Sequence, residues 1–295
     1  MFSTVTYIFE WSVRCSLLRA MDIKRILVAV DSLNGRDAAF ERAASLARSS
    51  GAELYLLYAV PVSQPFSFGA AARLERMADL RKRAEDVSVG VRTVEQQGDP
   101  ADLIELHANA RAVDLIVMGG VARRGWSRRR SLVAERVIRR TDIPTLVVPS
   151  DAPETLTSFR NLLVAVDLSP SSEDVLSAAL GLTAADGGQL TVMHTVKSFD
   201  RTHIVEDARR HLEAVLSTVP ATFDARAHVL TGSAARTILE HAADVNADLV
   251  VVGRSRGFKM LGSTALRVLR KNDRALLVIP TAAHRADRVE PQLAA

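Results

Sequence analysis

The chain has 295 residues, 48% hydrophobic and 24% charged, with 38 Lys and Arg against 34 Asp and Glu for a net charge of +4. That length suits two domains of ordinary size, and the composition is that of a globular protein rather than a disordered or fibrous one. The single cysteine, Cys15, excludes an intrachain disulfide and a cysteine-based metal site, which fits a reducing compartment; so mild a basic excess does not by itself imply nucleic acid.

Residues 1–20 stand apart. They carry Phe2, Tyr7, Ile8, Phe9 and Trp11, but no base precedes Arg14, and Glu10 interrupts the apolar run. A secretory leader opens on basic residues and closes on small ones, and a membrane span needs roughly 20 continuous apolar residues. One reading is a start codon placed too early, with Met21 as the true start. The other is a weakly membrane-associating extension. The expectation is a soluble, cytoplasmic protein with no membrane span.

From there the elements alternate. Residues 25–31 are a continuous apolar run, the mark of a strand buried on both faces. Residues 37–50 place Ala39, Phe40, Ala43, Ala44, Leu46 and Ala47 on one helical stripe, and Gly51 is the natural stop. Residues 53–60 read as a second strand, 68–86 as an Arg-rich amphipathic helix, and 87–96 as a third strand. Asp99 and Pro100 open the next helix as N-cap and first turn. Residues 114–118 are strand four, an Arg-rich loop and a helix over about 131–140 follow, and 145–149 are strand five.

The second half repeats this order. Its strands fall at 161–167, 189–196, 223–231, 248–252 and 276–280. Its helices fall at about 173–185, 204–218 and 233–247, with a shorter one before the last strand. From Gly98 to Gly119 the two copies stay in register without a gap: His107 matches His241, Ala108 matches Ala242 and Asp114 matches Asp248. A repeat this long is a duplicated domain and not a solenoid. The expected layout is an extension (1–20), a first domain (21–150), a linker (151–158), a second domain (159–281) and a flexible tail (282–295). Strands alternating with helices of this length imply an α/β fold: two tandem open, mostly parallel five-stranded sheets with helices on both faces, Rossmann-like. Ligands then bind beyond the carboxyl ends of the strands, where strand order reverses.

The loop after strand four of the second half carries the richest chemistry. It holds Gly253, Gly257 and Gly262, the bases Arg254, Arg256 and Lys259, and then Ser263 and Thr264 at the start of a helix. Glycines let a backbone approach phosphates, a helix N-terminus offers free N–H groups, and the bases favour an anion. The alternative is an ordinary turn with solvated charges. His107 and His241 read as half-buried packing residues. The run Arg123, Arg124, Arg128, Arg129, Arg130 reads as a solvated charged face; with Trp126 as its one aromatic it is no single-strand stacking platform, and nucleic acid is not the expected partner.

The ordered set of motifs resembles the universal stress protein family in tandem form. It is carried by Ile26-Leu27-Val28-Ala29-Val30-Asp31, Leu163-Val164-Ala165-Val166-Asp167, Asp114-Leu115-Ile116-Val117-Met118-Gly119, the stretch Asp248 to Gly253, Gly262-Ser263, and the Leu-Val-Val-Pro and Leu-Val-Ile-Pro endings. The resemblance covers nearly all of residues 21–281, in two copies. Nucleotide-binding members have a loop of the form Gly, two residues, Gly, nine residues, Gly-Ser/Thr, with the Asp ending strand one and the residue closing strand two holding base and ribose. The resemblance therefore implies Asp167, Val196, Gly253, Gly257, Gly262, Ser263 and Thr264 as nucleotide-binding residues in the second half, and more weakly Asp31, Val60 and Gly119 in the first. It implies ATP, with Mg accompanying it, as the ligand of the second domain.

Both halves depart from the pattern. Gly257 comes one place late, and only eight residues separate Gly253 from Gly262 where the family spacing gives twelve. In the first half, Ser131-Leu132 stand where Gly-Ser is required. The leading expectation is a stress-response protein acting by binding, with an adenine nucleotide in the second domain only. The alternatives are a slow ATPase at the same loop and an adaptor that binds no nucleotide. No Walker-type Gly-Lys-Ser/Thr is present. The resemblance also implies that strands 145–149 and 276–280 pair as a built-in dimer; a homodimer of two chains is left open.

Overall fold

A computed structural model describes residues 21–30, 37–87, 89–120, 128–150, 152, 159–183, 188–197, 202–217, 219–255 and 262–281. The extension 1–20, most of the linker and the tail 282–295 lie outside the described residues, as do Asp31 and Gly257. In chain order the first half comprises β1 (Arg25–Val30), α1 (Ala38–Ser50), β2 (Glu53–Val60), α2 (Ala70–Asp86), β3 (Val91–Gln97), α3 (Pro100–Ala110), β4 (Leu115–Gly120), α4 (Arg128–Arg140) and β5 (Thr145–Pro149). The second comprises β6 (Asn161–Ala165), α5 (Ser172–Gly181), β7 (Gln189–Val196), α6 (Thr202–Leu216), β8 (Asp224–Thr231), α7 (Ala234–Asp244), β9 (Leu249–Ser255), α8 (Ser263–Lys271) and β10 (Ala275–Thr281).

Local signals set most boundaries. Asp37 accepts a hydrogen bond from the Phe40 N–H at 3.0 Å, and Gly51 closes α1 in the left-handed region at φ 73°. Asp99 accepts from the N–H groups of Ala101 and Asp102 at 3.0 and 3.2 Å, and Pro100 sits in the first turn. The helix expected from residue 68 starts at Ala70, because Gly69 at φ 67° precedes it. The strand expected from residue 87 starts at Val91, because Val87 is the C-cap of α2 and donates back to Ala84 and Glu85.

The expected pair of five-stranded sheets is one ten-stranded sheet, in the order β3-β2-β1-β4-β5-β10-β9-β6-β7-β8. Within each half every pairing is parallel; at the junction β5 and β10 run antiparallel, with Leu276 opposite Val147 and Val278 opposite Thr145. The cause is the edge problem: two unpaired rows of N–H and C=O groups meet and satisfy each other. Both strands are buried along their whole length.

Alternate residues of each strand enter opposite layers. Val28, Leu56, Val117 and Leu146 pack with Val164, Val192, Val251 and Leu277 in one core, under α1, α2, α5 and α6. Leu27, Leu57, Ile116 and Val147 pack with Leu163, Met193, Val250 and Leu276 in the other, under α3, α4, α7 and α8. Each layer contains residues of both halves, so the apolar core runs unbroken across the junction. Burying each such side chain stabilises the fold by roughly 1.5–3 kcal/mol.

The repeated Asp that precedes strand four acts on strand one. Asp114 accepts the N–H groups of Lys24 and Arg25 at 2.8 and 2.9 Å, and Asp248 accepts those of Arg160 and Asn161 at 2.8 and 3.2 Å. Each carboxylate thus holds the entry of β1 or β6 against the strand beside it. Among the described residues no helix is long and apolar enough to cross a membrane.

Candidate functional site

In each half β1 or β6 lies between a strand reached by one crossover and a strand reached by a crossover on the other side, so strand order reverses beside it. In the second half this switch point opens a cavity of about 360 Å³ between the carboxyl ends of β6, β7 and β9 and the start of α8. Asp167, Gly253, Gly262, Ser263 and Thr264 all line it. Five of the seven residues singled out there from sequence therefore converge on one space.

Each is held by local chemistry. Asp167 leaves β6 and accepts, through Oδ1, the Ser169 N–H at 3.0 Å and the Ser172 hydroxyl at 3.2 Å. Between them Leu168 is left-handed at φ 60°, a conformation that costs a non-glycine residue about 1–3 kcal/mol and gathers at functional turns. Gly253 sits in β9 two residues before its end, where a Cβ would meet Val175 and Thr281 at 3.1 and 3.2 Å, so a side chain there would crowd the cavity wall. Gly262 is the N-cap of α8, and Ser263 and Thr264 form its first turn. The N–H groups of a first turn have no partner within their helix, and with the positive end of the helix dipole they suit an anion.

Val196 does not line the cavity. It is buried, and its carbonyl accepts the Gly232 N–H at 2.9 Å. Val60 repeats this in the first half, accepting from Gly98 at 2.9 Å. The strand-two residues that do line the second-half cavity are Met193, His194 and Thr195. The His194 ring is fixed by Nδ1, 2.9 Å from the Val166 carbonyl; with Nδ1–H as the donor, Nε2 is left as the acceptor. A polar residue two places before the end of a buried apolar strand is the sequence signal for it.

Arg254 lines the cavity too, and its guanidinium also bonds across the junction. Its side chain is buried and crosses the junction, donating to the Thr141 carbonyl at 2.8 Å and to Asp142 Oδ1 at 3.2 Å. The antiparallel junction explains this: it sets the carboxyl end of β9 beside the turn that enters β5. Arg256 and Lys259 lie outside the described residues. Bases of α4 and α8 are ion-paired: Arg136 with Asp99 at 2.7 Å, Arg139 with Glu135 at 2.7 Å, and Arg270 with the same Glu135 at 2.8 Å. Burial pushes the Glu135 carboxyl up, but Arg270 and Arg139 together hold it below the usual carboxylate range.

The first half has a cavity of about 220 Å³ at the matching switch point, lined by Gly119 among others. Strand register gives the correspondence: Ala29 faces Leu57 and Met118 as Ala165 faces Met193 and Val252. The matching wall positions are Tyr58 for His194, Ala59 for Thr195 and Val133 for Thr264. The histidines of the duplicated helix pack as half-buried residues. His107 Nε2 lies 2.7 Å from Gln96 Oε1, while the His241 ring lies 4.7 Å from that of His228.

A model of the Universal stress protein family matches residues 22–149 and again 158–280. The chain belongs to the universal stress protein family. A universal stress protein of Methanocaldococcus jannaschii is 32% identical over 138 residues, which are 42% of this chain and 81% of that protein. A universal stress protein A homolog of Coxiella burnetii is 30% identical over 130 residues, 38% of this chain and 89% of its own. A solved universal stress protein from Archaeoglobus fulgidus superposes with a TM-score of 0.71 over 90% of this chain and 98% of its own, at 19% identity, a likeness of fold. Membership of the family supports a role in the response to stress.

Proposed function

We propose that this tandem universal stress protein acts by binding, and that it takes an adenine nucleotide, with Mg accompanying the phosphates, in the second-half cavity alone. The observation that carries this reading is the convergence of Asp167, Gly253, Gly262, Ser263 and Thr264 on one space of about 360 Å³. Such a volume is typical of small-molecule sites. The base and ribose sit against the end of β6 and the His194–Thr195 edge of β7. The phosphates meet the first turn of α8, where N–H groups and two hydroxyls act as donors. The matching corner of the first half offers Val133 and Leu132 in place of Thr264 and Ser263, so it lacks those hydroxyl donors.

Binding without turnover is favoured by the carboxylate inventory. Among the described residues that line the cavity Asp167 is the one carboxylate, and its Oδ1 is already committed to Ser169 and Ser172. The test is calorimetric titration with ATP and Mg, on the parent chain and on Gly262→Val. A Cβ at Gly262 meets nothing within 4 Å and its φ is −52°, so the fold tolerates the substitution while the cavity does not. The reading requires binding by the parent and its loss in the variant; a parent that binds no nucleotide leaves the adaptor reading instead. ATP hydrolysis abolished by the same substitution would turn the account towards the enzyme.

A further inference from the structure

The duplicated helix treats its histidine differently in the two halves. In the first half Gln96 Oε1 lies 2.7 Å from His107 Nε2. Val60 and Val196 pair with Gln97 and Thr231 at the matching ends of β3 and β8, so Leu230 stands in the place of Gln96 and His228 in the place of Val94. Residues two apart on a strand share a face. The second half thus trades the amide that meets the helix histidine for an apolar side chain, and sets a second imidazole beside it. The rings of His228 and His241 lie 4.7 Å apart, centre to centre, with their planes tilted by 41°. His241 Nε2 is buried and has no hydrogen-bond partner among the described residues, a costly state for a ring nitrogen unless something else meets it. We propose that His228 and His241 form a binding site for a divalent transition-metal ion such as zinc, held by the two imidazoles. Neither histidine lines the nucleotide cavity.

The geometry suits such an ion. Zinc–nitrogen bonds of about 2.0–2.1 Å put each ring centre roughly 3.2 Å from the metal, so an angle of about 90–110° between the rings needs centres about 4.5–5.2 Å apart. The observed 4.7 Å falls inside that range. The other ring nitrogen of His241, Nδ1, lies 3.8 Å from the Asp244 carboxylate one turn along α7. A ligating histidine directs its second N–H at a carboxylate or carbonyl, which fixes the tautomer that presents the free nitrogen to the metal. Here that leaves Nε2, the unpartnered atom. Burial first, then His241 and Arg226, hold the His228 imidazole below its ordinary value, and the neutral ring is the form that binds metal. Arg226 is itself paired with Asp224 at 2.8 Å. Imidazole nitrogens suit zinc, copper or nickel rather than magnesium, whose ligands are oxygens. Among the described residues no set of three His, Cys, Asp or Glu side chains gathers here, so water fills the remaining positions. The pair lies between α7 and β8, the last strand of the sheet, so the ion exchanges at the sheet edge.

The test is a calorimetric titration of the full chain with zinc chloride, after EDTA treatment and its removal, and without nucleotide. Saturable uptake of one zinc per chain is expected. His228→Gln and His241→Gln should each weaken it by well over tenfold, and Asp244→Asn, which removes the carboxylate behind the ring, by about tenfold. His107→Gln should leave it unchanged. Leu230→Gln, which gives His241 the amide partner that His107 has, should weaken it severalfold by occupying Nε2. Thermal melts check that the variants fold; should a histidine variant fail to, Leu230→Gln decides. Zinc binding that is absent, or unchanged in His228→Gln, His241→Gln or Leu230→Gln, would overturn the proposal.

Discussion

Arg254→Ala is the sharpest probe of how the two halves are joined. The guanidinium is buried and makes two cross-junction hydrogen bonds, at 2.8 and 3.2 Å. Asp142 has a side chain 70% exposed, so it rehydrates when its partner leaves and contributes little. Thr141 is 2% exposed, and its carbonyl would lose a charged donor, a change worth about 1.5–3 kcal/mol. Adding the packing lost with the buried stem, we expect Arg254→Ala to cost about 2–4 kcal/mol in all. Arg254→Met, which keeps most of the stem but not the donor, should still cost about 1.5–3 kcal/mol. The assay is equilibrium unfolding in urea followed by circular dichroism. Because the contact spans the junction, Arg254→Ala should also broaden or split the transition as the halves begin to unfold separately. A variant within about 0.5 kcal/mol of the parent, with an unchanged slope, would refute the reasoning.

Three further outcomes follow from the same contacts. Asp248→Ala should destabilise the chain by about 2–4 kcal/mol and more than Asp114→Ala, since it leaves two N–H groups unpaired and also strips a counter-charge from buried Arg42; equal costs in urea melts would contradict this. That charge matters because burial pushes the Arg42 guanidinium down to about 10, with Asp248 opposing, while burial pushes the Asp248 carboxyl up. His107 and His228 are both held below the ordinary imidazole value, by burial first, then by Arg111 in one case and by His241 and Arg226 in the other. Their folded-state values lie below the unfolded value of about 6.5, so their stability contribution is present above that pH and lost as pH falls through the depressed values. The urea midpoint should drop between about pH 7.5 and 5.5, and His228→Gln should flatten part of that drop; a midpoint that rises would contradict the sign. Glu135→Gln should weaken the α4–α8 contact through Arg270 by about 1–2 kcal/mol, read from the same melts.

Much of the fold is legible in the sequence because the signals are local. The buried runs at 25–30 and 161–165 need no partner to be recognised, and Asp99-Pro100 fixes a helix start by its own chemistry. The pairing of the two last strands is implied by the family resemblance instead, and β5 and β10 do pair, antiparallel. What sequence does not reveal is decided over long separations. Arg254 looks like a loop cation until the antiparallel junction brings it to Thr141, more than a hundred positions away. Val196 looks like the end of strand two in contact with a ligand, but the Gly232 N–H covers its carbonyl, and the cavity wall falls to His194 and Thr195. Gly119 points to the matching cavity of the first half, but its other described walls come from strands and helices spread over a hundred residues.

The measurement that bears most directly on the central claim is the stoichiometry of ATP binding to the intact chain by calorimetry. The account predicts one nucleotide per chain, lost in Gly262→Val and kept in Val133→Thr. Two nucleotides per chain, or one that survives Gly262→Val, would contradict it.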